Sequence, residues 1–260
     1  FYPRDPNKML TGNDGGVQVT NNNRAEKVFY VNLNNGYVTA QFYTIGMDRS
    51  RINNIIFGGM QDNGTHFTNN SLAEDSWDRV LGGDGGYCAV SRDGIFYYVS
   101  FQRGQIYRLT FNKNNRVSSF ARVDPVRTGQ DAAIEFIFVT PFVLHPSNGN
   151  QMYLAGSNVI WKNRNLAQVP SGSQNPTGVN WYKLENTRLN IGLISALDIS
   201  TQPTNILYYG TNTGRVFKIP DASLDDPQVT EITSPNFRVG AYVSCIAIDP
   251  ANANRIMVIF

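Results

Sequence analysis

Glycine-flanked acidic residues recur at the turns of this sequence, and their carboxylates could take part in acid–base chemistry. Asp62 lies in the run GGMQDNGT, which begins at Gly58, and Asp84 lies in GGDGGY. Asp14 lies in a similar run, TGNDGG. Two carboxylates that face each other across a cleft can hydrolyse a glycosidic bond, one as general acid and the other as base or nucleophile. Asp14, Asp62 and Asp84 are therefore the candidate catalytic residues.

The same runs could instead bind a ligand without cleaving it. GGMQDNGT is longer than a two-residue turn, and its polar side chains exceed what turn geometry needs. The glycines around Asp84 would let the backbone approach a ligand closely. The predicted ligand-binding residues are Gln61, Asp62, Asn63, Asp84, Tyr87 and Arg103. The alternative is that these residues only satisfy tight turns, which favour Asn-Gly and Asp-Gly pairs whatever the function.

Three aromatic side chains near these turns are candidate platforms for a glycan or a peptide. They are Tyr87, Trp161 and Trp181. The two tryptophans can equally pack between neighbouring sheets, because large aromatic rings dominate such cores.

Composition narrows the classes of partner and cofactor. The 260 residues carry 22 Lys and Arg against 20 Asp and Glu, scattered singly, so we predict no nucleic-acid binding. No apolar run approaches the roughly 18 residues of a membrane helix, so we predict no membrane insertion. Cys88 and Cys245 lack metal-site spacing and are predicted to be buried thiols. We predict no cofactor, although Asp and Asn oxygens leave a structural Ca²⁺ open as an alternative.

A long repeat organises the chain. Each copy has an apolar run, a polar turn, a second apolar run ending near glycine, and a third. The first turns are 44, 43, 54, 55 and 49 residues apart, at Arg4, Asp48, Ser91, His145, Ser200 and Asp249. A fourth run follows, as in FYVNL to Leu33, WDRV to Val80 and WYKL to Leu184, and helical spacing is nearly absent. Four-stranded units of this period predict an all-β fold, a β-propeller.

The predicted propeller spans residues 1–260 as a single domain or fragment, with about five whole blades and partial ones. The approximate blades are 1–37, 38–83, 84–137, 138–189, 190–237 and 238–260, the last of them partial. Either the last strands complete the first blade, or further blades lie outside this sequence. We favour the second alternative, in which other domains of the same larger chain are partners.

Strand alternation assigns the candidate residues to one face of the propeller. The loop between the second and third strands of a blade lies on the same face as the passage to the next blade. Asp14, Asp62, Asp84 and Arg103 are therefore expected to surround one mouth of the central channel, where a glycan or protein ligand would bind.

Several runs resemble the BNR-like (Asp-box-like) propeller repeats of large secreted bacterial surface proteins. They are LTGNDGGVQVT, NLNNGYVTAQFYTIG, GGMQDNGT, GGDGGY, TPFVLHPSNGNQMYLAG and IAIDPANANRIMV. Those repeats are related to sortilin-type propellers and to xyloglucan hydrolases. The intact Asp-box turn, Ser-x-Asp-x-Gly-x-Thr-Trp, does not occur here, so sialidase catalysis is not carried over. The resemblance implies a secreted or cell-surface location and, in a bacterial host, type IX secretion.

The residues and the resemblance together predict a recognition or scaffolding module that binds a glycan or a protein within a larger protein. The alternative is a glycoside hydrolase of xyloglucanase-like type. In that alternative Asp14 is similar to the catalytic Asp of the family's Asp-x-Gly-Gly motif, and Asp62 or Asp84 completes the pair. A structural spacer without a ligand is the third possibility.

Overall fold

The computed structural model describes residues 1–13, 16–36, 40–48, 54–69, 72, 76–238 and 240–260. Within these residues the strands form six antiparallel sheets. The helical segments described are short 3-10 turns at Gln102–Gly104, Gly129–Ala132, Leu166–Gln168 and Glu185–Thr187. The chain divides into two compact units, Phe1–Gln41 and Phe42–Phe260.

The first unit contains sheet 1, a three-stranded meander. Its strands are β1 (Met9–Asn13), β2 (Gly16–Thr20) and β3 (Val31–Asn32). The residues before β1 form an isolated bridge between Tyr2 and Asp5. Asp14, the first candidate catalytic residue, lies outside the described residues.

The second unit contains four sheets of four strands and one sheet of two strands. Sheet 2 has β4 (Thr44–Met47), β5 (Ile56–Met60), β6 (Gly64–Thr68) and β7 (Asp78–Leu81). Sheet 3 has β8 (Gly85–Val90), β9 (Tyr97–Phe101), β10 (Ile106–Phe111) and β11 (Val117–Arg122). Sheet 4 has β12 (Phe142–His145), β13 (Asn148–Leu154), β14 (Ile160–Asn163) and β15 (Trp181–Leu184). Sheet 5 has β16 (Ile194–Thr201), β17 (Thr204–Thr211), β18 (Val216–Ile219) and β19 (Thr230–Glu231), and sheet 6 has β20 (Cys245–Asp249) and β21 (Asn252–Ile259).

The sheets of this unit pack face to face in chain order. The first strands of successive sheets contact each other, β4 with β8, β8 with β12, β12 with β16, and β16 with β20. A separate apolar core lies between each successive pair of sheets, with Phe57 and Val99 in the first and Tyr153 and Leu207 in a later one. Consecutive four-stranded meanders with the first strand innermost are the architecture of a β-propeller. The predicted fold class is confirmed.

A repeated pair of polar side chains also links the sheets. In sheets 3, 4 and 5 a tyrosine of the second strand is paired in register with a cation of the third strand. The pairs are Tyr98 with Arg108, Tyr153 with Lys162, and Tyr208 with Lys218.

Each of these cations reaches the sheet that follows its own. Arg108 Nη2 donates to the Val169 carbonyl over 2.9 Å. Lys162 Nζ donates to the carbonyls of Ala222 and Ser223 over 2.8 and 2.6 Å. Lys218 Nζ donates to Asn254 Oδ1 over 2.8 Å. Arg108 and Lys162 thus donate to backbone carbonyls, and Lys218 donates to a side-chain amide oxygen, so each contact ties one sheet to the next.

The cysteine prediction is half right. Cys88 is buried in the core between sheets 2 and 3, and burial raises its thiol pKa to about 12. Cys245 is exposed. It begins β20, whose sheet contains only β21 among the described residues of this unit. The prediction that Cys245 is buried is therefore wrong.

Candidate functional site

Strand alternation gives the unit Phe42–Phe260 two faces. We call one of them the passage face. It carries the loops between second and third strands and the passages between sheets, at 61–63, 82–84, 102–105, 123–141, 155–159, 185–193, 212–215, 232–238 and 240–244. The opposite face carries the remaining turns, including the segment after β14 and the segment after β18.

The structure brings two of the candidate carboxylate residues together on the passage face. Asp84 Oδ1 accepts a hydrogen bond from the Asp62 backbone N–H over 2.8 Å. Asp62 has a φ of 59°, so this bond holds a left-handed turn residue that lacks the freedom of glycine. Gln61 Oε1 accepts a hydrogen bond from the Tyr43 hydroxyl, and Asn63 donates to the Gln61 carbonyl. These contacts stabilise the two loops 61–63 and 82–84, and the bond to the Asp62 backbone gives Asp84 a structural role.

The glycines in these runs serve the packing of one backbone on another. A Cβ added to Gly59 would lie 2.1 Å from the Gly86 carbonyl oxygen, and one added to Gly85 would lie 2.3 Å from the Gly64 carbonyl oxygen. Real Cβ atoms do not approach so closely, so sheets 2 and 3 meet here only because side chains are absent. Close approach of backbone to backbone accounts for these glycines without a ligand.

The other two predicted ligand-binding residues lie apart from this rim. Arg103, with a φ of 57°, forms an ion pair with Glu135 in the passage from sheet 3 to sheet 4. Tyr87 is half-buried and packs near the Phe142 ring, with 6.0 Å between ring centroids. Burial, followed by the charges of neighbouring groups that include Cys245, raises the Tyr87 pKa to about 12.

Both tryptophans belong to the packing between sheets 3 and 4. Trp161 is buried in that core, and Trp181 packs against it. Trp181 Nε1 donates to the Val123 carbonyl over 2.7 Å, which ties β15 to sheet 3. The packing alternative explains these two residues.

The passage face also contains a cleft of about 290 Å³ between sheets 4 and 5. One wall is the passage after β15, and the other comes from β17, β18 and β19. Its lining residues are Asn186, Thr187, Arg188, Leu189, Asn190, Tyr209, Arg215, Phe217, Val229 and Glu231. Sequence reasoning missed this cleft.

An aromatic stack that includes a tyrosine lines the cleft. The rings of Tyr209 and Phe217 are stacked with centroids 4.8 Å apart, because the two residues are paired in register on β17 and β18. Tyr209 is 1% exposed, and its hydroxyl has no hydrogen-bond partner within the described part of the chain. Burial raises the Tyr209 pKa, so the hydroxyl keeps its proton and remains a donor.

Arg215 stands over this stack. Its guanidinium lies 4.8 Å from the Phe217 ring centroid and forms a fork with Glu231, with Nε to Oε1 at 3.1 Å and Nη2 to Oε2 at 2.6 Å. Hydrogen bonding from Arg215 is the main cause of a lowered Glu231 pKa. The two-pronged contact fixes the arginine against the cleft wall.

Arg188 enters the cleft from the other wall. Its Nε donates to Glu185 Oε2 over 2.8 Å, and its Nη1 donates to Asp131 Oδ1 over 2.9 Å. Its Nη2 is buried and has no partner among the described atoms. Burial alone would raise the pKa of Asp131, but hydrogen bonds from Lys183 and Arg188 outweigh it and lower that pKa. The arginine is thus held in place by two carboxylates and keeps one nitrogen unsatisfied.

The sequence held one usable signal for the cleft. In sheet 5 the pair Tyr208 and Lys218 corresponds to Tyr153 and Lys162 of sheet 4, and Tyr209 and Phe217 are the next pair along the strands. Alignment of the strand pairs of the two sheets therefore indicates an aromatic pair at this position. The passage residues Arg188 and Asn190 carry no motif, and only the fold places them opposite β18.

The described residues contain neither a cluster of metal ligands nor a membrane-spanning helix. No group of three or more His, Cys, Asp or Glu side chains there could hold a metal ion. A structural Ca²⁺ therefore stays a prediction. Among the same residues, no helix is both long and apolar enough to cross a membrane.

Comparisons with known proteins support the fold. No protein-family model and no curated protein sequence matches the chain. The crystal structure of the mitotic checkpoint complex contains a chain with a TM-score of 0.55 and 11% identity, covering 97% of this chain and 67% of the other. The β-propeller domain of Cps50 (Swd1) from Myceliophteria thermophila has a TM-score of 0.52 and 13% identity, covering 85% and 61%. The chain thus spans about two thirds or less of these neighbours' lengths.

These neighbours are WD40-type propellers. They support a β-propeller repeat fold and do not single out the BNR-like type that the sequence resembles. At such low identity the likeness establishes the fold alone.

Proposed function

We propose that this propeller is a protein-recognition module and that its partner docks on the passage face. The cleft between sheets 4 and 5 carries the proposal, because it combines an aromatic floor with a polar hydroxyl and a buried nitrogen that have no partner among the described residues. Buried polar groups are normally hydrogen-bonded, so an unpaired set beside an opening favours an external partner.

Two exposed ion pairs on the passage face, one between sheets 3 and 4 and one at the cleft, support the same face. The Arg103–Glu135 pair has side-chain exposures of 56% and 68%, and the Arg215–Glu231 pair has 41% and 39%. Arginine and aromatic side chains are enriched where proteins recognise each other, and exposed charges at a rim steer association. One similar structure is itself an assembly, the mitotic checkpoint complex, which fits a scaffolding role for this fold.

The test uses a matched pair of charge reversals. Arg103 on the passage face and Arg164 on the opposite face are each 56% exposed, and each pairs with an exposed carboxylate. A partner would first be captured from an extract of the source organism, purified, and titrated against the wild-type chain by calorimetry. We expect Arg103→Glu or Arg215→Glu to weaken binding about tenfold or more, whereas Arg164→Glu leaves it unchanged. Equal loss in Arg164→Glu, or loss in that variant alone, would overturn the proposed face.

Glycan binding and glycoside hydrolysis stay predictions from the sequence. Asp84 accepts a hydrogen bond from the Asp62 backbone N–H, and no contact in the described part of the chain favours a catalytic carboxylate pair. A protein ligand is therefore the form of recognition that we propose.

The secreted or cell-surface location belongs to the same proposal. It is supported by the resemblance to repeats of secreted proteins. Protease treatment of intact source cells is the test, since a surface-exposed chain would be cleaved without lysis and an internal one would not.

A further inference from the structure

The unsatisfied atoms in the cleft between sheets 4 and 5 are hydrogen-bond donors, which restricts what can bind there. Arg188 Nη2 carries only N–H groups, and it is buried without a described partner. The Tyr209 hydroxyl, 1% exposed as a residue, is held protonated. A group that satisfies Arg188 Nη2 must therefore supply an acceptor, to which the Tyr209 hydroxyl can also donate.

Charge selects among the possible acceptors. The residues lining the cleft include two arginines and one carboxylate, that of Glu231, and Arg188 is also paired with Asp131 and Glu185, which are not lining residues. Glu231 is already engaged by Arg215 and by the Thr233 hydroxyl, which donates to Oε1 over 2.8 Å. An incoming anion would meet donors on both walls, since Arg188 and Arg215 lie on opposite sides. A carboxylate fits, because it accepts several hydrogen bonds and forms its strongest contacts with arginine.

Size selects among carboxylate ligands. Pockets for complete small molecules run from about 300 to 1,000 Å³, and this cleft of about 290 Å³ lies at their lower limit. The lining is mostly polar, and Leu189, Phe217 and Val229 are the apolar residues that the methylene groups of a short side chain would contact.

We propose that the cleft between the passage 186–190 and β17–β19 receives the carboxylate of an Asp or Glu side chain from a protein partner, with Tyr209, Arg188 and Arg215 as its donors. This inference rests on the proposed function, which it deepens by naming the chemistry of the partner residue.

The experiment titrates the wild-type chain with blocked tripeptides and follows the backbone amides by NMR. The probe is acetyl-Gly-Glu-Gly-amide, and the comparison peptides are acetyl-Gly-Gln-Gly-amide and acetyl-Gly-Gly-Gly with a free C-terminal carboxylate. We expect saturable shifts at Leu189, Phe217 and Val229 with the Glu peptide, at a Kd on the order of millimolar. Binding of the Gln peptide should be about tenfold weaker.

Variants with matched controls locate the donors. Tyr209→Phe removes only the hydroxyl and should weaken the Glu peptide about fivefold or more. Tyr208→Phe removes a hydroxyl from the adjacent residue, which instead donates to the Ala253 carbonyl, and should leave peptide affinity unchanged. Arg215→Gln should also weaken binding, whereas Arg164→Gln on the opposite face should not.

The outcomes separate this inference from the proposed function. No saturable shift with the Glu peptide, or preference for the free C-terminal peptide, would overturn the inference. A partner that still depends on Arg103 would leave the proposed function standing in that case. Conversely, Tyr209→Phe could weaken binding of the Glu peptide while substitutions on the passage face leave binding of the protein partner unchanged. That result would support the carboxylate site and overturn the docking proposal.

Discussion

At the scale of single residues, a hydrogen bond between the loops 61–63 and 82–84 fixes the turn at Asp62. Asp62 and Asp84 were predicted to share one face, and the structure joins them through the Asp62 N–H. The bond occupies an oxygen of the carboxylate that the hydrolase prediction needed. A tight left-handed turn and a ligand site use the same residue types, so only coordinates distinguish a turn that is satisfied from one that is open.

We expect a large difference between Gly-to-Ala changes at Gly59, in β5, and at Gly82, in the passage from sheet 2 to sheet 3. In Gly59→Ala the new methyl group would collide with the Gly86 carbonyl, and we expect a loss of about 2–3 kcal/mol in the free energy of unfolding. In Gly82→Ala it would meet nothing within 4 Å, and we expect no loss. Urea denaturation of both variants is the measurement. Equal stability of the two variants would show that close packing of sheets 2 and 3 is not the reason for Gly59.

At the scale of elements, the strands were predictable where apolar alternation was regular. The run WYKL was predicted as a fourth strand and is β15, Trp181–Leu184. The run FYVNL forms only the two-residue strand Val31–Asn32, because its aromatic residues Phe29 and Tyr30 are exposed and bury no apolar face. The tyrosine–cation pairs were missed, since a lysine or arginine in a strand normally indicates a solvent-exposed position.

The pair in sheet 4 predicts an unusual dependence of stability on pH. Lys162 is 2% exposed, and burial lowers its pKa from 10.5 to about 8. Between these values the unfolded chain binds more protons than the folded chain at this site, so Lys162 makes stability rise with pH.

Comparison with Lys162→Met isolates this effect from other titrating groups. We expect the unfolding free energy of the wild type, minus that of the variant, to increase by about 1–2 kcal/mol from pH 7.5 to pH 9.5. Urea denaturation at the two pH values measures it. A difference that falls over this interval would mean that the hydrogen bonds from Lys162 to the Ala222 and Ser223 carbonyls favour the ammonium more than burial opposes it.

At the scale of the whole molecule, the repeat spacing was enough to predict the propeller, because each unit of the long period supplies one meander that must bury its faces against neighbours. The structure of Phe42–Phe260 follows this rule, with a core between each successive pair of sheets. The cleft could not be predicted in the same way. It depends on how a passage of irregular sequence lies against the next sheet, and propeller loops vary freely on a constant frame.

The most direct test of protein recognition at the passage face is amide hydrogen exchange, measured on the full chain with and without its purified partner. If the partner docks on the passage face, we expect slower exchange at 186–190, 212–216 and 229–233, which surround the cleft. We expect little change at 164–168 and 221–226 on the opposite face. Protection confined to the opposite face, with the cleft segments unchanged, would contradict it.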